Sequence, residues 1–152
     1  MTKDYPWGKG TPKWVLDAAA NDSDKSFIVP AGKIWDVKAI HIEIATTATV
    51  GNRSLIAIFT NGTSTVFASP RTANIAASNT GVLNLSRHYA AMGSTSSNAP
   101  LLSGVAPGGG MYGTLPDMLL PAGYVIRAYD IGAIDAGADD MPVVLHYVEY
   151  DA

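Results

Sequence analysis

Three histidines, His41, His88 and His146, are the side chains in this sequence best suited to proton transfer or metal ligation. They fall on three separate predicted strands, and none forms an HxH or HExxH pair of the kind that brings two imidazoles onto one zinc ion. His41 and His88 take polar-face positions, where a solvated or interface histidine belongs. Asp130, Asp135, Asp139 and Asp140 crowd one short stretch. A calcium ion takes several oxygen ligands, which an Asp-rich loop can supply. The EF-hand spacing is missing, however, and a solvated turn or a contact with lysine or arginine on another subunit reads the same residues equally well. Gly108-Gly109-Gly110 lacks the Lys-Ser or Lys-Thr that completes a phosphate-binding loop. Asp36 and Glu43 could in principle act as an acid/base pair, but no second signal accompanies them. There is no GxSxG and no cysteine, hence no nucleophile elbow, thiolate or disulfide framework. The Asn-X-Ser/Thr triplets at Asn52, Asn61 and Asn84 carry no meaning without a secretory signal. The expectation is a non-enzymatic chain with no cofactor and no catalytic or metal-binding residue.

Composition points to contact with other protein. The 152 residues suit one domain with a two-layer core. Hydrophobic residues make up 47% and charged residues only 15%, against about 25% charged in an ordinary soluble domain. Ala, Gly, Ser, Thr and Asn take the place of the missing charge, and depletion of charge marks the centre of protein interfaces. Net charge is −3 and the isoelectric point about 5.4, so a broad cationic footprint for nucleic acid is not expected. The only basic cluster is Lys3, Lys9 and Lys13. No apolar run approaches the roughly 18 residues of a membrane span, and MTKDYPWGKGTPKW has no apolar signal-peptide region. The expectation is a protein made and kept in the cytosol, or carried out inside a larger particle, without membrane attachment.

The elements that would display these residues read as strands. Residues 1–13, with Tyr5, Trp7, two prolines and two glycines, form an arm. Residues 1–25 comprise that arm and a short strand near Trp14–Asp17, and 26–152 the β-sandwich domain. Pro30-Ala31-Gly32 and Pro121-Ala122-Gly123 are turns, with proline suited to the second turn position and glycine to the fourth, and each opens a long strand. In Ile34–Thr47 the apolar set begins on odd positions (Trp35, Val37) and continues on even ones (Ile40, Ile42, Ile44). Strand side chains alternate with period two, so an extra residue or a sheet crossover must lie near Lys38–Ile40. Asn61-Gly62 predicts a type I′ hairpin between Arg53–Thr60 and Thr63–Ala68. Val82–Tyr89, Tyr124–Asp130 and Val143–Tyr150 alternate as strands. Residues 90–114 read as one long functional loop, and Ala73–Ala77 has room for one helical turn. Strands without helical crossovers predict an all-β, antiparallel sandwich, jelly-roll-like, with an extended N-terminal arm. Its core should contain Trp35, Val37, Ile40, Ile42, Ile44, Leu55, Phe59, Leu83, Leu85, Val125 and Leu145.

The run VPAGKIW…ATVGNRSLIAIFTNGT, with LPAGYVIRAYDIGAIDAGADDMPVVLHYVEYD, resembles a class of small structural proteins from tailed bacteriophages. The likeness covers roughly residues 26–151 and consists of turn and strand punctuation, silent on chemistry. It implies a virion protein on the outer capsid surface, a decoration or cement protein that forms a homotrimer and bridges major capsid protein subunits. A tail or head–tail connector protein is the alternative within the same class. A carbohydrate-binding jelly-roll module is the alternative outside it, with Tyr112, Tyr124 or Tyr129 as a stacking platform. Partner contacts are expected at Tyr5, Trp7 and Trp14 of the arm and short strand, and at Met92, Leu101, Leu102, Met111 and Tyr112 of the long loop.

Overall fold

The structure is a computed structural model, in which residues 9–87 and 110–152 are described. Among the described residues ten strands follow one another: β1 (Thr11–Asp17), β2 (Asp24–Ile28), β3 (Lys33–Ala45), β4 (Leu55–Thr60), β5 (Thr65–Ala68), β6 (Thr80–Ser86), β7 (Gly110–Thr114), β8 (Leu119–Pro121), β9 (Val125–Asp130) and β10 (Val143–Asp151). They build two sheets. The larger runs β1-β10-β3-β6-β7, with β8 paired to the first part of β3, and the smaller runs β2-β9-β4-β5.

Setting β7 and β8 aside leaves eight strands. The first pairs with the last (β1 with β10), the second with the seventh (β2 with β9), the third with the sixth (β3 with β6) and the fourth with the fifth (β4 with β5). That is a hairpin rolled onto itself, the connectivity of a jelly roll. Every pairing is antiparallel except β6 with β7, which is parallel. The stretch that reads as one loop over 90–114 therefore ends in a strand.

The change of phase in β3 is a bulge. On β10, Tyr147 pairs with Val37 and the adjacent His146 with Ala39, which leaves Lys38 as the extra residue. Trp35 and Val37 before it and Ile40, Ile42 and Ile44 after it all face the core. Trp35 packs on Tyr147 with ring centroids 4.1 Å apart, and its indole N–H donates to Glu149 at 2.9 Å. Leu55, Phe59, Leu83, Leu85 and Leu145 are buried as expected, but Val125 is not. In β9 the inward set is Ile126, Ala128 and Asp130, and Val125 shares the outward face with Arg127 and Tyr129. Two adjacent β-branched residues leave that register ambiguous in the sequence; an arginine two positions after Val125 marks its side as the solvent side.

Both Pro-Ala-Gly turns exist, with a different register from the one expected. The N–H of Lys33 donates to Pro30 O and that of Tyr124 to Pro121 O, so proline opens each turn and glycine is third. Gly32 and Gly123 have φ of +71° and +85°, the left-handed value that a type II turn requires at that position. The turns are neighbours, tied through Val29 to Tyr124 and Gly123 to Val29, and each carries the chain from one sheet to the other. The Asn61-Gly62 hairpin also forms, but over 61–64 rather than as a two-residue type I′ turn. Asn61 keeps negative φ, and its side chain accepts from the N–H groups of Thr63 and Ser64 at 3.0 and 2.8 Å. Ala73–Ala77 is not helical, and Ile75 instead bridges to Arg53.

β1 is an integral edge strand of the larger sheet, paired with β10 along its whole length, and the 25/26 boundary falls inside β2.

Candidate interaction surfaces

Charged side chains, few as they are, hold the corners of the sandwich. Arg53 and Asp139 are both fully buried and paired, Nε to Oδ2 at 2.9 Å. The same guanidinium donates to the carbonyls of Thr49 and Gly51, and Asp139 accepts from the Thr47 N–H. Asp135 accepts from the hydroxyls of Thr47 and Thr49 at 2.6 and 2.7 Å, and those bonds hold its carboxyl below the usual carboxylate range. Asp130 Oδ1 accepts from the N–H groups of Ser54 and Gly132, and Asp140 from that of Asn21. The acidic stretch is thus fastened to the 46–54 loop of its own chain, and among the described residues no group of three or more His, Asp or Glu has metal-binding geometry. His41 and His146 lie on different strands, with His41 Nδ1 at 2.5 Å from Asn84 Oδ1; His88 is outside the described residues.

A second staple is Lys25. Its side chain points into the fold from edge strand β2, and its ammonium meets Asp17, Asp22 and the Ala19 carbonyl. A third is Asp36, buried although it alternates outward, because Arg87 and Lys38 close over it, with Arg87 reaching on to Asp117. Lys13 donates to Glu149 at 2.6 Å, and this bond, helped by the Trp35 indole, depresses the Glu149 carboxyl.

With charge drawn into these clusters, both outer faces of the sandwich are broad and nearly neutral. Cross-strand register on the larger sheet gives one outward row of Leu16, Val144, His41, Asn84 and Tyr112, and beside it Trp14, His146, Ala39, Ser86 and Thr114. Glu43 is its unburied carboxylate, 3.9 Å from His41. Trp14 is 67% exposed and Leu16 48%. On the smaller sheet, Ile28 (62% exposed), Val125, Ile56, Ile58 and Tyr129 point outward, with Arg127 paired to Asp24 and lying over the Tyr129 ring. Trp14, Leu16 and Ile28 thus stand in water on these faces, while Asp24 and Arg127 pair with one another.

Of the residues expected to contact partners, Trp14 and Tyr112 lie on one face, at opposite edges of the five-strand array. Met111 points the other way and is buried in the core, where its side chain is not available to a partner. Tyr5, Trp7, Met92, Leu101 and Leu102 lie outside the described residues. Leu16 and Ile28 are exposed apolar residues that the sequence reading does not single out. Ile28 shares its strand parity with Ser26 and Asp24, a polar pattern that marks it as outward. Tyr112, Tyr124 and Tyr129 do not form one stacking platform: Tyr112 faces out from the larger sheet, Tyr129 from the smaller, and Tyr124 packs against the core.

No family model matches the chain, and no curated protein matches it. Among solved structures, the NLP core of Drosophila is similar over 94% of this chain and 100% of its own, at 12% identity and a TM-score of 0.33. A Nora virus structure is similar over 100% of this chain and 64% of its own, at 12% identity and a TM-score of 0.37. A family 35 carbohydrate-binding module from Clostridium thermocellum is similar over 94% and 92%, at 13% identity and a TM-score of 0.27. Likenesses this slight, spread over proteins so different, do not distinguish one role from another.

Proposed function

We propose that this chain is a non-enzymatic structural protein of a bacteriophage particle, in its simplest form a capsid decoration protein that binds across major capsid protein subunits and associates with copies of itself. The carrying observation is the pair of neutral outer sheet faces, with Trp14, Leu16 and Ile28 uncovered while the charged groups of the corners are engaged within the fold. The resemblance to small tailed-phage proteins supplies the particle, and three copies as the count it implies. Such a protein stabilises a shell by mass action, because it binds the assembled form and not the dispersed subunits. Stiffness suits that role, since a jelly roll with buried ion pairs at its corners presents a face at little conformational cost.

Co-sedimentation of the purified protein with separated phage heads and tails tests the reading. Binding to heads is the expected result, binding to tails alone moves the protein to the connector or tail, and binding to neither refutes the proposal. Removal of residues 1–8, which stops short of β1, is expected to lower occupancy on heads while the domain stays folded.

A further inference from the structure

We infer that Asn61 is a self-modifying site, where the folded hairpin promotes loss of the side-chain amide as ammonia and conversion of the residue to aspartate or its β-linked isomer. The sequence sets the chemistry. Asn61 is the one asparagine followed by glycine; every other is followed by a residue with a Cβ, which crowds the next backbone nitrogen. Gly62 has φ of +90°, and nothing of the protein lies within 4 Å of where its Cβ would stand. All four residues of the 61–64 turn are exposed, so water reaches whatever forms there. Among the described residues, neither the Gly62 N–H nor Asn61 Nδ2 donates to an acceptor. No hydrogen bond holds back the attacking nitrogen or the leaving one.

The reaction needs no co-reactant but water. The Gly62 nitrogen gives its proton to solvent base and bonds to Asn61 Cγ, and the tetrahedral centre then expels Nδ2, reprotonated, as ammonia. A five-membered imide remains. Water opens it at either carbonyl, leaving aspartate in the ordinary main chain or a main chain that runs through the side-chain carbon. In the tetrahedral state the negative charge sits on Oδ1. That oxygen already accepts from the Thr63 N–H at 3.0 Å and the Ser64 N–H at 2.8 Å, so the turn holds two donors where charge develops. The Asn61 N–H in turn donates to Ser64 O at 3.1 Å, which keeps those donors in place. The product exchanges a neutral amide for a carboxylate and takes the net charge from −3 to −4. Because β5 is an edge strand of the smaller sheet, an added main-chain atom at the hairpin tip is absorbed outside the core.

Peptide mapping by mass spectrometry on the full chain, held in neutral buffer, reads the exchange of NH2 for OH residue by residue. Enzymatic methylation of β-linked aspartate reads the linkage. The reference is a synthetic peptide of residues 60–66, too short to hold a hairpin. Asn61 is expected to lose its amide before any other asparagine, and about three-fold faster in the folded protein than in the peptide. The circular dichroism of the sandwich should not change. Asn61→Gln, which would have to close a six-membered ring, should keep its amide over the same period. Loss that is slower in the folded protein than in the peptide would mean that the Thr63 and Ser64 bonds clamp the amide, and overturns the inference. Earlier loss at another asparagine does the same, as does a glutamine at position 61 that reacts as fast. This site is independent of the proposed structural role, which co-sedimentation tests separately.

Discussion

Adding one residue beside Ala39 is expected to unfold the domain, whereas deleting Lys38 is expected to leave it folded. Both changes alter the length of β3 by one, and they differ because the strand already carries an extra residue. An insertion after the bulge forces either Trp35 and Val37 or Ile40, Ile42 and Ile44 to exchange the core for the outer face while β10 and β6 hold the pairing. The three isoleucines are essentially fully buried, and at about 1.5–3 kcal/mol each their exposure costs roughly 5–9 kcal/mol. Whole domains are stable by about 5–15 kcal/mol, so little or nothing remains. Deleting Lys38 restores plain alternation, Val37 in, Ala39 out, Ile40 in, against β10 residues Tyr147 and His146 that are already consecutive. What is lost is the 2.6 Å contact from Lys38 to Asp36 and the Lys38 carbonyl that accepts from the Arg87 N–H at 3.3 Å. The ion pair's lysine side is 42% exposed and Asp36 keeps Arg87, so its loss is about 1 kcal/mol. Urea unfolding followed by the fluorescence of buried Trp35 and by circular dichroism measures both. An insertion variant with an unchanged midpoint, or a deletion variant with no cooperative transition, would show that the bulge does not set the register.

Asp139→Ala is expected to cost about 3–5 kcal/mol, because it strands the Arg53 guanidinium in the core without its carboxylate; for a domain of this size that lowers the melting temperature by roughly 10 °C. The double variant Arg53→Met/Asp139→Leu should recover most of the loss in the same calorimetric scan. Gly123→Ala places a Cβ in left-handed backbone with no clash nearby, so its cost, about 1–2 kcal/mol in urea unfolding, is conformational. The carboxyls of Glu149, Asp135 and Asp22 are each held below their ordinary values, by the Lys13 bond, by the Thr47 and Thr49 hydroxyls, and by the Asp24 N–H with Lys25. Depressed carboxyls contribute stability that is present above about pH 4 and lost as pH falls through their lower folded values, so the melting temperature should drop below pH 4 and Glu149→Gln should flatten that drop.

Strand alternation makes most of the sandwich legible in the sequence, since one face of each strand is core and the other is not. The bulge in β3 is visible as a change of parity and the Pro-Ala-Gly motifs as turns, whereas their carrying the chain from one sheet to the other follows only from the strand pairing. Where a strand ends in charge at its inward position the pattern misleads. Asp130 faces inward at the foot of β9 because the Ser54 and Gly132 amides need its carboxylate, and that shifts the expected face to Val125. Asp36 reads as solvated for the same reason: nothing local in the sequence shows that Arg87, fifty-one positions away, will fold over it. The buried pairs Arg53–Asp139 and Arg87–Asp36 join residues distant in sequence and leave no periodic trace. Trp14 and Tyr112 are identifiable singly, but their common face follows only from the strand order, which places β1 and β7 at the two edges of one sheet.

Low charge content and bare outer faces have one cause in this fold. Lys13, Lys25, Lys33, Lys38, Arg53, Arg87 and Arg127 are each engaged by a carboxylate of the same chain. These pairs sit at strand edges and sandwich corners, where loops must be fixed without cysteine. A chain with so few charged residues that commits them there has little left to keep its sheet faces hydrated. An ordinary soluble sandwich alternates charge along its outward positions; this one alternates Trp, Leu, Val, Ala, Ser and Asn. The arrangement fits the proposed structural role, in which such faces are covered, and adding lysine at Leu16 or Ile28 should raise the solubility of the free protein.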